Sequence, residues 1–267
     1  MQDPTVSVIV TTYNREELLK ETLQSILNQT YTDFELIVVD NFSDYDFFKV
    51  IEEIGDNRIR PFQNANNGII SVNRNFGISK ATGKYLAFCD DDDLWMPEKL
   101  NKQLEILIQK DADVVSTAAL CFGQRINTDI IRSYKYKCKN QVFTNNYLTY
   151  SSVMVKNTTD ILFDEDSKII ASEDWALWMK LTLLGYTFIQ INDVLVKYRM
   201  NETNSTLKYT NTPGVKGLLC LKKMRKSFPK RMTLPIYIYS VIYCYLIIIE
   251  YKFGLHKLIH KVKKCRV

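Results

Sequence analysis

Along roughly the first 110 residues the chain alternates short, unbroken apolar runs with segments whose apolar positions recur every three or four residues. Residues 6–11 are apolar and mostly β-branched, as in a strand buried on both faces of a parallel sheet. Asn14 followed by Glu17 predicts an N-cap with its capping box, and the helix it opens sets Leu19, Leu23, Ile26 and Leu27 on one face before ending near Asn28. Residues 34–39 predict a second strand that stops at Asp40. A second helix over 44–54, a short strand over 58–62 and a third helix over 69–80 follow. The apolar run at 85–89 then ends on four consecutive carboxylates, Asp90, Asp91, Asp92 and Asp93. This alternation predicts a doubly wound α/β sheet, in which ligands sit at the carboxyl ends of the strands. Three such ends are polar, at 11–14, 40–41 and 90–93, and are expected to line one crevice.

The second half is less regular. Residues 112–117 predict a strand, 123–150 have no clear period and read as loop, and 173–184 form an amphipathic helix with Gly185 as its left-handed stop. Glu173 and Asp174 fall in the first turn of that helix. Spacing alone leaves open whether they complement the helix dipole or carry chemistry.

The aspartate cluster is harder to explain by structure alone. One Asp suffices to cap a helix opened by Pro97 and Glu98, whereas four adjacent carboxylates repel one another unless a cation sits among them. Mg²⁺ and Mn²⁺ take oxygen ligands, and Mg²⁺ is commonly held by one or two carboxylates together with substrate phosphates.

Composition supplies a core, with 46% hydrophobic residues in 267, and the net charge of +5 conceals an asymmetry. Residues 203–267 hold 14 Lys and Arg against Glu250 alone, leaving the tail at +13 and residues 1–202 at −8. Within that tail, residues 232–249 are an uncharged run of 18 with basic clusters on both sides. Eighteen is short for a membrane span, and positive charge on both flanks disfavours placing one of them outside. The reading preferred here is a helix lying in the cytoplasmic leaflet, with a packed helix or a true span as alternatives. Lipid fits better than nucleic acid, because the basic flanks bracket an apolar run. The six cysteines show no CxxC pairing and read as reduced thiols. The N-terminus lacks the features of a secretory signal, so a cytoplasmic catalytic part is expected. His256 and His260, at i and i+4, have no third zinc ligand near them in sequence.

Over residues 5–205 the chain resembles the family 2 glycosyltransferases, enzymes of the GT-A fold. The resemblance rests on ordered motifs: residues 6–15 ending in Thr11-Thr12-Tyr13-Asn14-Arg15, residues 25–31, residues 35–40 ending at Asp40, Asn67-Gly68, Asn73-Arg74-Asn75-Phe76-Gly77, the aspartate cluster, Phe163-Asp164-Glu165, and Glu173-Asp174. It implies that Thr11, Tyr13 and Asp40 hold the nucleotide base and that Arg74 faces the diphosphate. It further implies that Asp90 and Asp91 lie on the nucleotide side, that Asp92 binds Mn²⁺ or Mg²⁺, and that Asp174 is the general base, with Glu173 as the fallback. Two departures stand out. Where the family usually reads Asp-Asp-Gly-Ser, this chain reads Asp40-Asn41-Phe42-Ser43, and where the family often ends Tyr-Arg-x-His, it reads Tyr198-Arg199-Met200-Asn201. The Gln-x-x-Arg-Trp sequence of processive synthases is absent.

The resemblance therefore implies a GT-A catalytic domain over 1–205, divided into a nucleotide-sugar half (1–120) and an acceptor half (121–205), with a membrane-associating tail over 206–267. The implied activity is single-sugar transfer with inversion, from a nucleotide-sugar, UDP-linked, to a lipid-linked saccharide, by a peripheral enzyme at the inner face of the plasma membrane. Two competing readings are a nucleotidyltransferase of related fold and a catalytically silent nucleotide-binding module. The first is disfavoured because residues 11–14 contain no phosphate-loop glycine, and the second because Asp90, Asp92 and Asp174 are all present.

Overall fold

The computed structural model describes residues 3–123, 130–133, 139–200 and 213–253. Strands β1 (Val6–Thr12), β2 (Phe34–Asp40), β3 (Ile59–Gln63) and β4 (Tyr85–Asp90) alternate with helices α1 (Glu16–Leu27), α2 (Phe47–Ile54) and α3 (Ile70–Lys80). The four strands run parallel in the order β3-β2-β1-β4. The sheet continues through β8 (Met154–Lys156), β6 (Val114–Phe122), β9 (Phe188–Arg199) and β5 (Leu94–Trp95), with β7 (Ile130–Arg132) beside β6. β8 is antiparallel to both β4 and β6, so the sheet is mixed. This is the doubly wound α/β architecture expected from the alternation.

Side-chain alternation in β1 sends the two sets of apolar residues to opposite faces. Val6, Val8 and Val10 join Leu36 and Val38 in a core closed by Leu19, Leu23 and Ile26 of α1, Phe47 and Ile51 of α2, and Leu100 and Leu104 of α4 (Lys99–Gln109). Ile9, Leu86 and Phe88 face a second core built around Trp175, Trp178 and Leu181 of α5 (Glu173–Leu184). Helix α3 also lies on this second face. A Cβ on its Gly77 would come within 2.8 Å of Ile9, so only glycine lets the helix settle this close to the sheet.

Two expectations are corrected here. Asn14 does not cap α1: the cap position is Arg15, which makes no side-chain cap bond, and Asn14 adopts a left-handed backbone with φ 52°. Its side chain instead exchanges hydrogen bonds with Asp44, at 2.8 Å through Nδ2 and 2.7 Å through Oδ1, which ties the loop after β1 to the loop after β2. The second helix starts at Phe47 rather than 44, because Asp46 caps it by accepting from the Lys49 N–H. Gly185 closes α5 at φ 97°, as expected.

The proposed division at 205/206 lies outside the described residues. Beyond it, α6 (Pro213–Ser227) packs against α5 and α7 (Leu234–Phe253) packs against α6, and Cys220, Leu221, Met224, Met232 and Cys244 are buried in the second core. The tail therefore helps close the second core, which cutting the chain at Pro213 would open. Among the described residues no helix is long and apolar enough to cross a membrane, which removes the spanning alternative for α7. His256 and His260 lie outside the described residues.

Candidate active site

The polar strand ends do meet. Thr12 at the end of β1 is in register with Asp40 of β2, and Thr11 with Asp90 of β4, so the three segments share one edge of the sheet. Thr11 is buried and its hydroxyl has no hydrogen-bond partner among the described residues, while Tyr13 is half exposed. Asp40 is fully buried: it accepts from the Ser43 N–H (3.0 Å), the Ser43 hydroxyl (2.5 Å) and Gln63 Nε2 (3.0 Å). The loop this organises puts Phe42 at φ 58°, a left-handed conformation that glycine adopts without strain. Phe42 stands exposed on this loop.

The four aspartates have distinct surroundings. Asp93 is wholly buried and accepts from the Ser151 hydroxyl (2.5 Å) and the Arg199 N–H (2.8 Å), which joins the end of β4 to the 150–152 turn and to the end of β9. Burial, reinforced by Asp92 and Asp90, pushes its carboxyl well above the ordinary range. Asp91 accepts from Thr12 Oγ1 and from Arg15 Nη1, both at 2.8 Å, and burial raises its pKa despite that arginine. Arg15 also reaches Asp92 at 3.0 Å. Burial, then the charges of Asp90 and Asp91, push Asp92 up to about 7. Neither Asp92 nor Asp93 caps α4, whose cap position is Glu98.

Asp90 is the most open of the four, and it is held by Arg74. Arg74 is not a surface helix residue: it is almost fully buried, with Nη2 donating to Asp90 at 2.9 Å and Nη1 donating to Glu173 at 2.7 Å. Its guanidinium lies 3.7 Å from the ring centre of Tyr150 and 5.4 Å from that of Phe163, so aromatic faces and two carboxylates keep it charged. Glu173 is buried and its second oxygen accepts from the Ser172 N–H. Asp174 is only partly buried. Asn146 Nδ2 donates to it at 2.9 Å and the Trp175 N–H at 2.7 Å, and burial beside Glu173 pushes its pKa up to about 6.

Sequence reasoning missed Arg15, Asn146, Tyr150 and Ser151 as members of this site. Arg15 stands in the first motif, but its partners lie 76 and 77 residues away. Asn146 and Tyr150 come from the stretch without periodicity and Ser151 directly follows it, where no pattern distinguishes them.

Among the described residues no three His, Cys, Asp or Glu side chains converge to form a complete cage for a metal ion. Asp90 and Asp92 fit a different arrangement, in which a hard cation takes one or two carboxylates and completes its shell with phosphate and water oxygens. Burial raises Asp92 most, and the added repulsion from Asp90 and Asp91 is the part a cation would relieve directly.

Known proteins resemble this chain in sequence and in fold. The sequence pattern described as "Glycosyl transferase family 2" matches residues 7–163. The chain is 30% identical over 221 residues to the putative teichuronic acid biosynthesis glycosyltransferase TuaG of Bacillus subtilis, covering 77% of this chain and 83% of that one. It is 27% identical over 209 residues to the Escherichia coli UDP-Glc:alpha-D-GlcNAc-diphosphoundecaprenol beta-1,3-glucosyltransferase WfgD, covering 76% and 80%. Its fold matches residues 1–349 of S. aureus TarS in complex with UDP-GlcNAc with a TM-score of 0.67 at 20% identity, over 88% of this chain and 79% of that one.

Proposed function

The chain belongs to glycosyl transferase family 2 and is a glycosyltransferase of the GT-A fold, and from that premise we propose the reaction, the residues that carry it and the place where it occurs. The reaction is transfer of one sugar, with inversion, from a UDP-sugar to a hydroxyl of a lipid-linked saccharide in the assembly of a surface polysaccharide. Support for the acceptor and donor classes comes from WfgD, whose name specifies UDP-Glc and a diphosphoundecaprenol-linked sugar, and from TarS, which binds UDP-GlcNAc. Surface-polymer assembly is supported by TuaG.

The observation that carries this reading is the position of Arg74 between Asp90 and Glu173. One side chain joins the aspartate cluster at the end of β4 to the acids that open α5, so donor-side and acceptor-side groups belong to one site. Thr11, Tyr13 and Asp40 are assigned to the base. Asp40 uses three of its roughly four acceptor positions on Ser43 and Gln63, leaving one for an imide N–H. Arg74, Asp90 and Asp91 are assigned to the nucleotide side. Asp92, with Asp90 beside it, would hold Mn²⁺ or Mg²⁺, and a bound cation supplies charge neutralisation on the departing diphosphate.

Asp174 is assigned as general base. It takes the acceptor hydroxyl proton as that oxygen bonds to the anomeric carbon, while the bond from that carbon to the diphosphate oxygen breaks on the opposite face. Its partial exposure and its pKa of about 6 suit a group that is ionised at neutral pH and still accepts a proton. Glu173, held through both oxygens by Arg74 and Ser172, is assigned to positioning.

A lipid-linked acceptor places the enzyme at the inner face of the plasma membrane. The test of the whole reading is a screen of nucleotide-sugars with purified protein and Mn²⁺, following release of nucleoside diphosphate. Release from UDP-sugars that increases with a lipid-linked acceptor is the expected result. No release from any donor would overturn the reading.

A further inference from the structure

Helix α7 is apolar on two sides, and among the described residues one of them packs on protein while the other is exposed. Its inner side packs on α6 and the second core: Ser240 and Cys244 are buried, and Gly214 and Gly217 approach so closely that a Cβ on either would meet Cys244 atoms at 2.5 and 2.9 Å. Its outer side carries Ile238, Tyr239, Ile242, Tyr245, Leu246 and Ile249, each 45–59% exposed. At 3.6 residues per turn these six fall within an arc of about 120°, and no charged residue shares that arc. Eight of the sixteen exposed large apolar side chains among the described residues lie on this one helix, with Leu234 and Phe253 marking the ends of the stripe. Scattered exposed apolar residues need no explanation, but a continuous stripe on a helix about 30 Å long does.

We propose that the outer side of α7 lies in the plane of an anionic lipid bilayer, with its apolar stripe among the acyl chains nearest the headgroups. Charge selects this occupant. Lys222, Lys226, Lys230 and Arg231 are exposed ahead of the helix and Lys252 at its end, and five more Lys and Arg follow in residues 254–267. A second copy of the chain seated on the same face would set one +13 tail against another, whereas an anionic lipid surface meets it with opposite charge. Tyr239 and Tyr245 suit the headgroup boundary. The in-plane orientation follows from the buried inner side: a helix committed to the core through Ser240 and Cys244 cannot be surrounded by lipid. This deepens the reading of an enzyme that works on a lipid-linked acceptor, and its test uses neither substrate.

The experiment is flotation of the full chain with phosphatidylglycerol–phosphatidylcholine vesicles, compared with phosphatidylcholine alone and repeated at high salt. Wild-type protein is expected to float with the anionic vesicles and to be only partly released by salt, since screening leaves the apolar contribution intact. Ile242→Glu/Leu246→Glu is expected to lower partitioning by at least about tenfold, the loss for withholding one large apolar side chain from lipid. Ile242→Asn/Leu246→Asn tests the same face without added negative charge. Both pairs sit on the outer side, so far-ultraviolet circular dichroism and thermal midpoints should match the wild type. Wild type that stays at the bottom, or variants that float equally well, would overturn the proposal. So would a concentration-dependent dimer that both double variants abolish in the absence of lipid. Membrane binding without nucleoside diphosphate release would leave this inference standing and sink the transferase assignment instead.

Discussion

Asn146 Nδ2 donates to Asp174 at 2.9 Å while the Trp175 N–H holds the other carboxylate oxygen at 2.7 Å, which fixes the plane of the group assigned as base. Asp174→Asn is expected to leave donor binding near the wild-type value and to lower transfer by at least ~10²-fold. The base works only when ionised, so kcat/KM should fall as pH drops through about 6, and this limb should vanish in the variant. If Glu173→Gln proves the crippling change and Asp174→Asn does not, the two roles are exchanged.

Asp92→Asn removes the charge of the carboxylate assigned to the cation. Calorimetry with UDP is expected to show an Mn²⁺-dependent gain in affinity for the wild type and none for the variant. Equal gains in both would dismiss Asp92 as a ligand.

Removing Arg74 leaves Glu173 as a buried charge without its partner. Arg74→Ala should lower the unfolding free energy by about 3–5 kcal/mol in urea titrations. Adding Glu173→Gln should restore part of that loss, because the stranded charge is gone. A double variant no more stable than Arg74→Ala alone would mean that the loss came from the aromatic packing around the guanidinium.

Phe42 occupies a left-handed backbone at φ 58° and its side chain is largely exposed. A side chain in that region costs roughly 1–2 kcal/mol, and glycine returns roughly 0.5–1 kcal/mol of the relief as chain entropy in the unfolded state. Phe42→Gly should therefore stabilise the fold by up to about 1.5 kcal/mol. A lower thermal midpoint would show that the ring contributes packing that its exposure conceals.

Lys99 is fully buried over the Trp95 ring at 3.7 Å, with Nζ donating to Gln103 at 2.7 Å, and burial pulls its pKa down to about 7. The unfolded chain keeps this proton up to the ordinary lysine range, so between about 7 and that range unfolding takes up a proton. Stability should rise with pH across this window, by up to about 1.4 kcal/mol per pH unit, and be flat in this respect below it. Urea midpoints at neutral and alkaline pH should diverge for the wild type and converge for Lys99→Met.

What could be read from the sequence depended on how local the determining contacts were. Strands β1, β2 and β4 are apolar runs whose meaning is contained in six or seven residues, and Gly185 announces the end of α5 by itself. Asn14 misled because its partner is Asp44, 30 residues on, and that pair outweighed the local cap. Beyond Ala112 the sheet is made by β8 inserting antiparallel between β4 and β6, and by β9 pairing with β6 through a register shift near Ala118, neither of which leaves a periodic trace. Residues 232–249 are apolar on every side, and such a pattern does not say which side of the helix meets protein. The acids assigned to catalysis are visible through resemblance, whereas Asn146, which holds Asp174, and Tyr150, which packs on Arg74, stand in sequence with no pattern.

Arg74 is one cation shared by two acids, and sharing has a thermodynamic consequence. Any ligand that draws Asp90 away from the guanidinium changes how Arg74 holds Glu173, and through Glu173 the first turn of the helix that bears Asp174. Linkage is reciprocal for binding free energies. Whatever amount donor occupancy adds to or subtracts from acceptor affinity by this route, acceptor occupancy returns in equal measure to the donor.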